Sequence, residues 1–319
     1  IRGISSSLNA DNVRNAFKWT LLHNGLTAWA CYGVVGISLA YMSYKKGLPL
    51  TVRSVLQPLF GKYLSGGLGH TIDIVAILAT IVGLSVTIGY GVSQFASGLF
   101  NITQFDWLVG ENSQPTIGAQ LLGLLLIIGA SCLSAMSGLH KGIKWLSTVN
   151  MILSLVLILF FMLFGASVFA FKTFFITIYD YLLALPEMSF TVWNSNDSEI
   201  IGKLQSWQSS WTIFYWAWWI AFAPFVGIFL ARVSKGRTIR EYVFGAIIVP
   251  SLICLVWFAF IGGTAIDLEL SGEAQGSIIN TDISNQLFAT VNLITSEGFA
   301  ATLSVIIVIL LLTFLVTSA

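Results

Sequence analysis

The chain has 319 residues, of which 56% are hydrophobic and only 9% charged, with a mean hydropathy of +0.86. A soluble domain carries about 25% charge, so there is too little polar material here to cover a water-facing surface. That excludes a soluble enzyme, a nucleic-acid binder and a disordered regulator, and places the chain in a bilayer. Net charge is +1, from 15 basic and 14 acidic residues, so bulk charge points to no partner.

A bilayer core needs about 20 apolar residues as helix. Seven windows qualify: residues 19–44, 72–100, 117–136, 143–171, 207–231, 242–266 and 298–318. The runs are continuous rather than alternating, and too long for barrel strands. The fold class is therefore an all-α integral membrane protein with seven transmembrane helices. The chain starts at Ile1 and stops at Ala319 inside an apolar run, and it reads as a fragment of a longer protein.

Orientation follows from the loops. With the N-terminus outside, the internal connections hold Lys45, Lys46, Arg53 and Lys62, then Lys141 and Lys144, then Arg232, Lys235, Arg237 and Arg240, which is 10 of the 15 basic residues. The external loops carry 11 of the 14 acids and only Lys172 and Lys203. The positive-inside rule then sets the N-terminus out and the C-terminus in. Two external connections are long. In 172–206, Thr177 to Leu185 reads as a short surface helix ending before Pro186. In 267–297, Asp282 to Thr295 carries Ile283, Leu287 and Val291 at spacings of four, which predicts an amphipathic interfacial helix. Either connection serves equally well as a lid or as a plain connector.

Cys31, Cys132 and Cys254 sit in apolar stretches without paired spacing and read as small buried hydrophobes. His23, His70 and His140 form no metal-ligand pattern, and no metal or organic cofactor is expected. Intramembrane charge usually marks a buried functional site, and this chain has almost none. Asp73 lies just inside the second span, where the positive end of the helix dipole suits it. Glu241 and Glu297 lie at span edges. No nucleophile–base constellation or nucleotide loop appears, so an enzyme is not expected.

The spans do hold tryptophan away from the interface, where bilayer tryptophans normally gather. In the fifth window, Trp211, Tyr215, Trp218, Phe222 and Phe225 are spaced 4, 3, 4 and 3 and share one helix face, flanked by Trp219. Pro224 cannot donate to the carbonyl of Ile220, so a freed carbonyl lies beside the cluster. Broken helices of this kind hold substrates and ions in transporters. In the first window Gly25, Trp29, Tyr32 and Gly36 repeat the 4, 3, 4 spacing, two aromatics framed by glycines. Aromatic faces attract cations, most strongly when desolvated. With no carboxylate nearby, the ligand these stripes suit is a methylated ammonium, which has no N–H to donate.

These residues resemble the betaine/choline/carnitine transporter family. Trp211-Thr-Ile-Phe-Tyr-Trp-Ala-Trp-Trp219 matches its Trp-Thr-x-Phe-Tyr-Trp-x-Trp-Trp signature. Supporting matches are Ala28-Trp-Ala-Cys-Tyr32, Ser137 to Leu146, and Leu230 to Glu241. The resemblance implies a twelve-span protein with a LeuT-like five-plus-five inverted repeat. This chain then corresponds to about spans four to ten: a single partial domain over 1–319, with the remainder of the first repeat at 19–171, the external connector at 172–206 and the start of the second repeat at 207–319.

Carried over by position, the resemblance makes Trp29 and Tyr32 two walls of an aromatic box with Trp218 and Trp219 opposite. Phe222 stands where the family often has a further tryptophan, and Trp216 belongs to the same substrate-binding set. Asn24 replaces a box tryptophan in a His-Trp-Gly motif, here His23-Asn24-Gly25, and offers an amide to a hydroxyl or carboxylate. Trp211 resembles an outer docking position. One implied sodium site uses Thr80 and Phe225, although Leu84 stands at its second threonine. Another uses Phe314, Thr317 and Ser318, of which the two hydroxyls otherwise bond back to their own helix.

The implied function is a secondary transporter, a symporter importing glycine betaine or choline by alternating access, with sodium or protons as coupling ion. It would be a multi-pass protein of the inner (plasma) membrane, surrounded by lipid and homotrimeric, without a nucleic-acid partner. Rivals are a carnitine/betaine exchanger of the same family, a non-transporting quaternary ammonium sensor, a channel, for which no polar ring is visible, and a membrane enzyme.

Overall fold

The structure is a computed structural model and describes residues 9–110, 114–136, 142–193 and 199–318. Apart from a single bridge between Val109 and Pro115, every regular element among the described residues is helical. That is what a bilayer demands, since a helix satisfies its backbone polar groups internally.

Among the described residues, eight helical segments are long and apolar enough to cross a membrane, one more than the sequence predicts. The first, Ala10–Tyr44, is two helices, α1 (Ala10–Asn24) and α2 (Leu26–Tyr44). The polar first turns of α1 hide it from a hydropathy window. It starts with the Asn9 side chain accepting from the Asn12 amide at 2.9 Å. At Gly25 the chain breaks, and a Cβ there would lie 2.6 Å from the Leu21 carbonyl oxygen, so only glycine fits.

Next come α3 (Gly67–Thr103), α4 (Ile117–Met136) and α5 (Gly142–Phe164). The predicted fourth span, 143–171, ends early at Phe164. A new helix, α6 (Ser167–Phe190), follows and accounts for the eighth segment. It runs through Pro186, so the short helix expected to stop before that proline is much longer. One residue near a helix end loses only one backbone bond, and apolar positions Ala170, Tyr181 and Met188, spaced 11 and 7, stay buried on one face.

The remaining long segments are α7 (Glu199–Val233), α8 (Ile239–Ser271) and α10 (Glu297–Ser318), with the short helix α9 (Gln286–Ile294) before the last. Wide π-type turns interrupt α7 at Ser209–Ile213 and α8 at Phe244–Ile248 and Phe258–Gly262. The start of α8 is closed by a capping box between Thr238 and Glu241. The interfacial helix expected from Asp282 begins as a 3-10 turn at Ile283–Asn285 and continues as α9. Of its predicted face, Val291 is fully buried and Leu287 half-buried, whereas Ile283 is 72% exposed and Phe288, outside that face, is fully buried.

The chain forms two compact units, Ile1–Gly83 with Phe174–Val256 and Leu84–Thr173 with Trp257–Ala319. In the first, α2 and α7 pack at glycine. A Cβ on Gly36 would lie 3.1 Å from the Gly227 carbonyl oxygen, and one on Gly227 would lie 3.2 Å from the Gly36 nitrogen. The glycine framing of the first-span aromatics thus brings the two backbones into contact.

Candidate functional site

Close packing of α2 on α7 brings the two aromatic stripes together in the first unit. Trp29 and Tyr32 from α2 meet Trp219 from α7 in a triangle of ring centroids with sides of 6.0, 5.1 and 6.3 Å. Tyr32 stands edge-on to both tryptophans, at 83° to Trp29 and 68° to Trp219. Edge-to-face contact aligns the positive rim of one ring with the negative face of the next. Phe222 closes one side, 6.5 Å from Tyr32, and Phe225 follows it at 5.4 Å.

Trp218 takes a different place from the one expected. It stacks beside Trp219 at 6.1 Å but turns toward Phe214 and Tyr215 rather than closing the box opposite Trp29. Successive residues on a helix are about 100° apart, so Trp218 and Trp219 leave α7 in different directions. Trp216 is half-buried in the same helix. Trp211 is 44% exposed and stacks on Tyr215 at 6.2 Å, at the N-terminal end of the stripe. The amide nitrogen of Asn24 donates to the Thr20 carbonyl at 3.1 Å and is therefore engaged by its own helix.

His23, the first residue of the His23-Asn24-Gly25 motif, carries no role that its sequence context names. It is buried, its ring lies parallel to Tyr215 at 5.1 Å, and its Nε2 is 3.0 Å from the Thr212 hydroxyl. Its backbone carbonyl accepts a 2.7 Å hydrogen bond from the Trp219 indole. Trp19, Trp193 and Trp207 surround it in a second aromatic cluster with centroids 5.1 to 6.0 Å apart. The buried indole nitrogen of Trp29 has no oxygen or nitrogen acceptor among the described residues.

Of the positions offered for ions, Thr80 and Phe225 line one cavity of about 370 Å³ in the first unit, together with Asp73 and Thr51. The Thr80 hydroxyl donates to the Ala76 carbonyl at 2.8 Å. Asp73 is not a first-turn dipole partner, because α3 begins six residues earlier. Instead its carboxylate accepts from the Arg53 guanidinium at 2.6 Å. In the second unit, the Thr317 hydroxyl donates to the carbonyls of Thr313 and Phe314 at 3.0 and 2.9 Å, the back-bonding pattern. It also accepts from Asn150 Nδ2 at 3.4 Å, and the buried Asn150 Oδ1 has no partner among the described residues. Asn150 gave no signal in sequence, where a lone amide in an apolar run has no motif. Phe314 is half-exposed and Ser318 ends the described residues. Residues 137–141 of the supporting motif, with His140 and Lys141, lie outside the described residues. Among the described residues no group of three His, Cys, Asp or Glu could hold a metal ion.

The family model "BCCT, betaine/carnitine/choline family transporter" matches residues 4–319. The glycine betaine transporter OpuD of Bacillus subtilis is 38% identical over 306 residues, covering 96% of this chain and 56% of that protein. A glycine betaine/proline/choline transporter of Vibrio parahaemolyticus is 37% identical over 94% of this chain and 51% of its own length. The high-affinity choline transport protein of Escherichia coli is 40% identical over 82% of this chain and 36% of its own. The chain spans about half the length of the first two and about a third of the last.

Proposed function

Because the chain belongs to the betaine/carnitine/choline transporter family, whose members are transporters and not enzymes, we propose that it carries the cation-binding part of a secondary transporter for a quaternary ammonium osmolyte, glycine betaine or choline. The Trp29–Tyr32–Trp219 triangle supports this reading most strongly. A trimethylammonium against these rings would lie within about 6 Å of their centroids, the range over which a desolvated cation gains most from aromatic faces. Quaternary nitrogen suits a wall without carboxylates, since it needs no acceptor. Relatives named for glycine betaine and for choline lend weight to the same substrate class.

Import would proceed by alternating access as symport. Thr317, Ser318 and Phe314 would form one sodium site, with Asn150 supplying a further amide oxygen, and Thr80 and Phe225 a second. Hydroxyl and amide oxygens are the ligands a hard cation takes. The protein would sit in the inner membrane as a homotrimer, with the segment's N-terminus outside and its C-terminus inside. In this topology α6 lies along the outer surface as part of the connector. It carries Lys172, Asp180 and Glu187, and crossing the bilayer with three charges is costly. Asp180 holds Arg14 in a bidentate pair at 2.6 and 2.7 Å.

Radiolabelled betaine and choline uptake, with and without sodium, tests the reading. Trp219→Ala abolishes uptake while the protein still reaches the membrane. Undiminished transport by that variant would remove the box, and uptake indifferent to sodium would remove the sodium sites.

A further inference from the structure

A cleft of about 900 Å³ in the first unit lies where three membrane-long helical segments end or begin, at Tyr44, Val233 and Ile239. Its position is thus the boundary between apolar helix and water. Lys45, Lys235 and Arg237 line it. Among the described residues, Lys45 and Lys235 have no carboxylate within ion-pair distance, and Arg237 reaches Glu241 only at 4.0 Å. Glu241 itself is held by the Thr238 amide and hydroxyl at 2.8 and 3.0 Å. Lys235 instead lies 5.6 Å over the Tyr44 ring, and the neighbouring Lys46 lies 5.9 Å over Tyr41. These rings hold ammonium groups near the cleft without neutralising them.

The C-terminal carbonyls of α2 and α7 account for a cation each. They do not account for three cations around a floor of Ile37, Ala40 and Val55. Nor does a soluble anion need such a floor. The apolar lining continues along α2 to Val34, 60% exposed, and includes Ile239 at the start of α8, 67% exposed. A head that is anionic and a body that is apolar match both halves of this surface. We infer that the cleft binds an anionic phospholipid, its phosphodiester between Lys45, Lys235 and Arg237 and its acyl chains along Val34 and Ile239. Basic pockets between helices at a membrane face recognise lipid headgroups in this way. The inference does not depend on the transport reading, because it uses none of the aromatic box.

The test is lipid binding by the purified protein in nanodiscs, read by native mass spectrometry as phosphatidylglycerol is titrated against phosphatidylcholine. The protein retains phosphatidylglycerol preferentially. The double variant Lys45→Gln/Lys235→Gln binds it about thirtyfold more weakly, the product of two lysines near an anionic surface. Lys45→Arg/Lys235→Arg keeps the preference, as does Lys203→Gln, whose ammonium pairs with Glu199 elsewhere. Unfolding temperature in phosphatidylcholine alone checks that the double variant is folded. Equal phosphatidylglycerol preference in a folded double variant overturns the site. Displacement of the lipid by millimolar inorganic phosphate overturns the lipid and leaves a free-anion site.

Discussion

The Trp219 indole donates a 2.7 Å hydrogen bond to the backbone carbonyl of His23, 196 residues earlier in the chain. This bond joins the wall of the aromatic triangle to the end of α1, one residue before the helix break at Asn24–Gly25. His23 is itself fixed by ring stacking on Tyr215 and by the Thr212 hydroxyl. The orientation of Trp219 therefore depends on a residue that does not face the box. Trp219→Phe keeps an aromatic face and removes the donor. One neutral hydrogen bond is worth about 1 kcal/mol, so this variant should raise the KM for betaine or choline roughly fivefold at near-normal surface abundance. A KM matching the parent would show that the bond does not orient the wall.

Contact between the backbones of α2 and α7 makes Gly36 and Gly227 sensitive to any side chain. A Cβ at Gly36 meets Gly227, Leu230 and the Tyr242 hydroxyl, which itself donates to the Gly33 carbonyl at 2.9 Å. Gly36→Val should lower the stability of the purified protein by about 1–3 kcal/mol, the usual cost of overpacking. Thermal unfolding in detergent measures it. Gly245→Val is the control, because open space surrounds that glycine.

The sequence carried the parts of the site that are local and periodic. The spacing of Trp211 to Phe225 and of Gly25 to Gly36 marks helix faces, but of the α7 stripe Phe222 meets Tyr32 and the closer contact comes from its flanking residue Trp219. Which member of the Trp218–Trp219 pair turns toward α2 depends on the approach of a distant helix, and only Trp219 does so. His23 and Asn150 were illegible for the same reason: each is a single polar residue whose partner lies 167 to 196 residues away. Helix limits failed where composition misleads. The polar start of α1 hides one helix, and Pro186 marks a stop that α6 runs through.

The connection after α8 is held by one carboxylate. Glu269 accepts from the backbone amides of Gly276, Ile278 and Ile279 at 3.0, 3.0 and 2.8 Å, around a turn where Gly272, Gln275 and Gly276 have positive φ. Each bond to a charged acceptor contributes about 1.5–3 kcal/mol. Glu269→Ala should speed hydrogen exchange at these three amides at least about tenfold, by that same reckoning. Glu273→Ala, whose side chain is exposed, should leave exchange unchanged. Unchanged exchange in Glu269→Ala would show that the turn holds itself.

Asn150 and Thr317 give the most direct test of the proposed ion coupling. The amide nitrogen of Asn150 reaches the Thr317 hydroxyl at 3.4 Å, a long bond, and the other end of that amide is a buried oxygen without a partner. An unpartnered buried acceptor costs about 1–3 kcal/mol, which a cation bound there would offset. Thr317 alone is ambiguous, because its hydroxyl already bonds back to Thr313 and Phe314. The two variants together are not. If both oxygens hold sodium, Thr317→Ala and Asn150→Leu should each raise the sodium concentration for half-maximal uptake about tenfold, the effect of losing roughly 1.4 kcal/mol. The KM for betaine at saturating sodium should change little. If the pair only packs α5 against α10, Asn150→Leu should instead stabilise the protein to heat, by removing the orphaned acceptor, and leave the sodium dependence where it was.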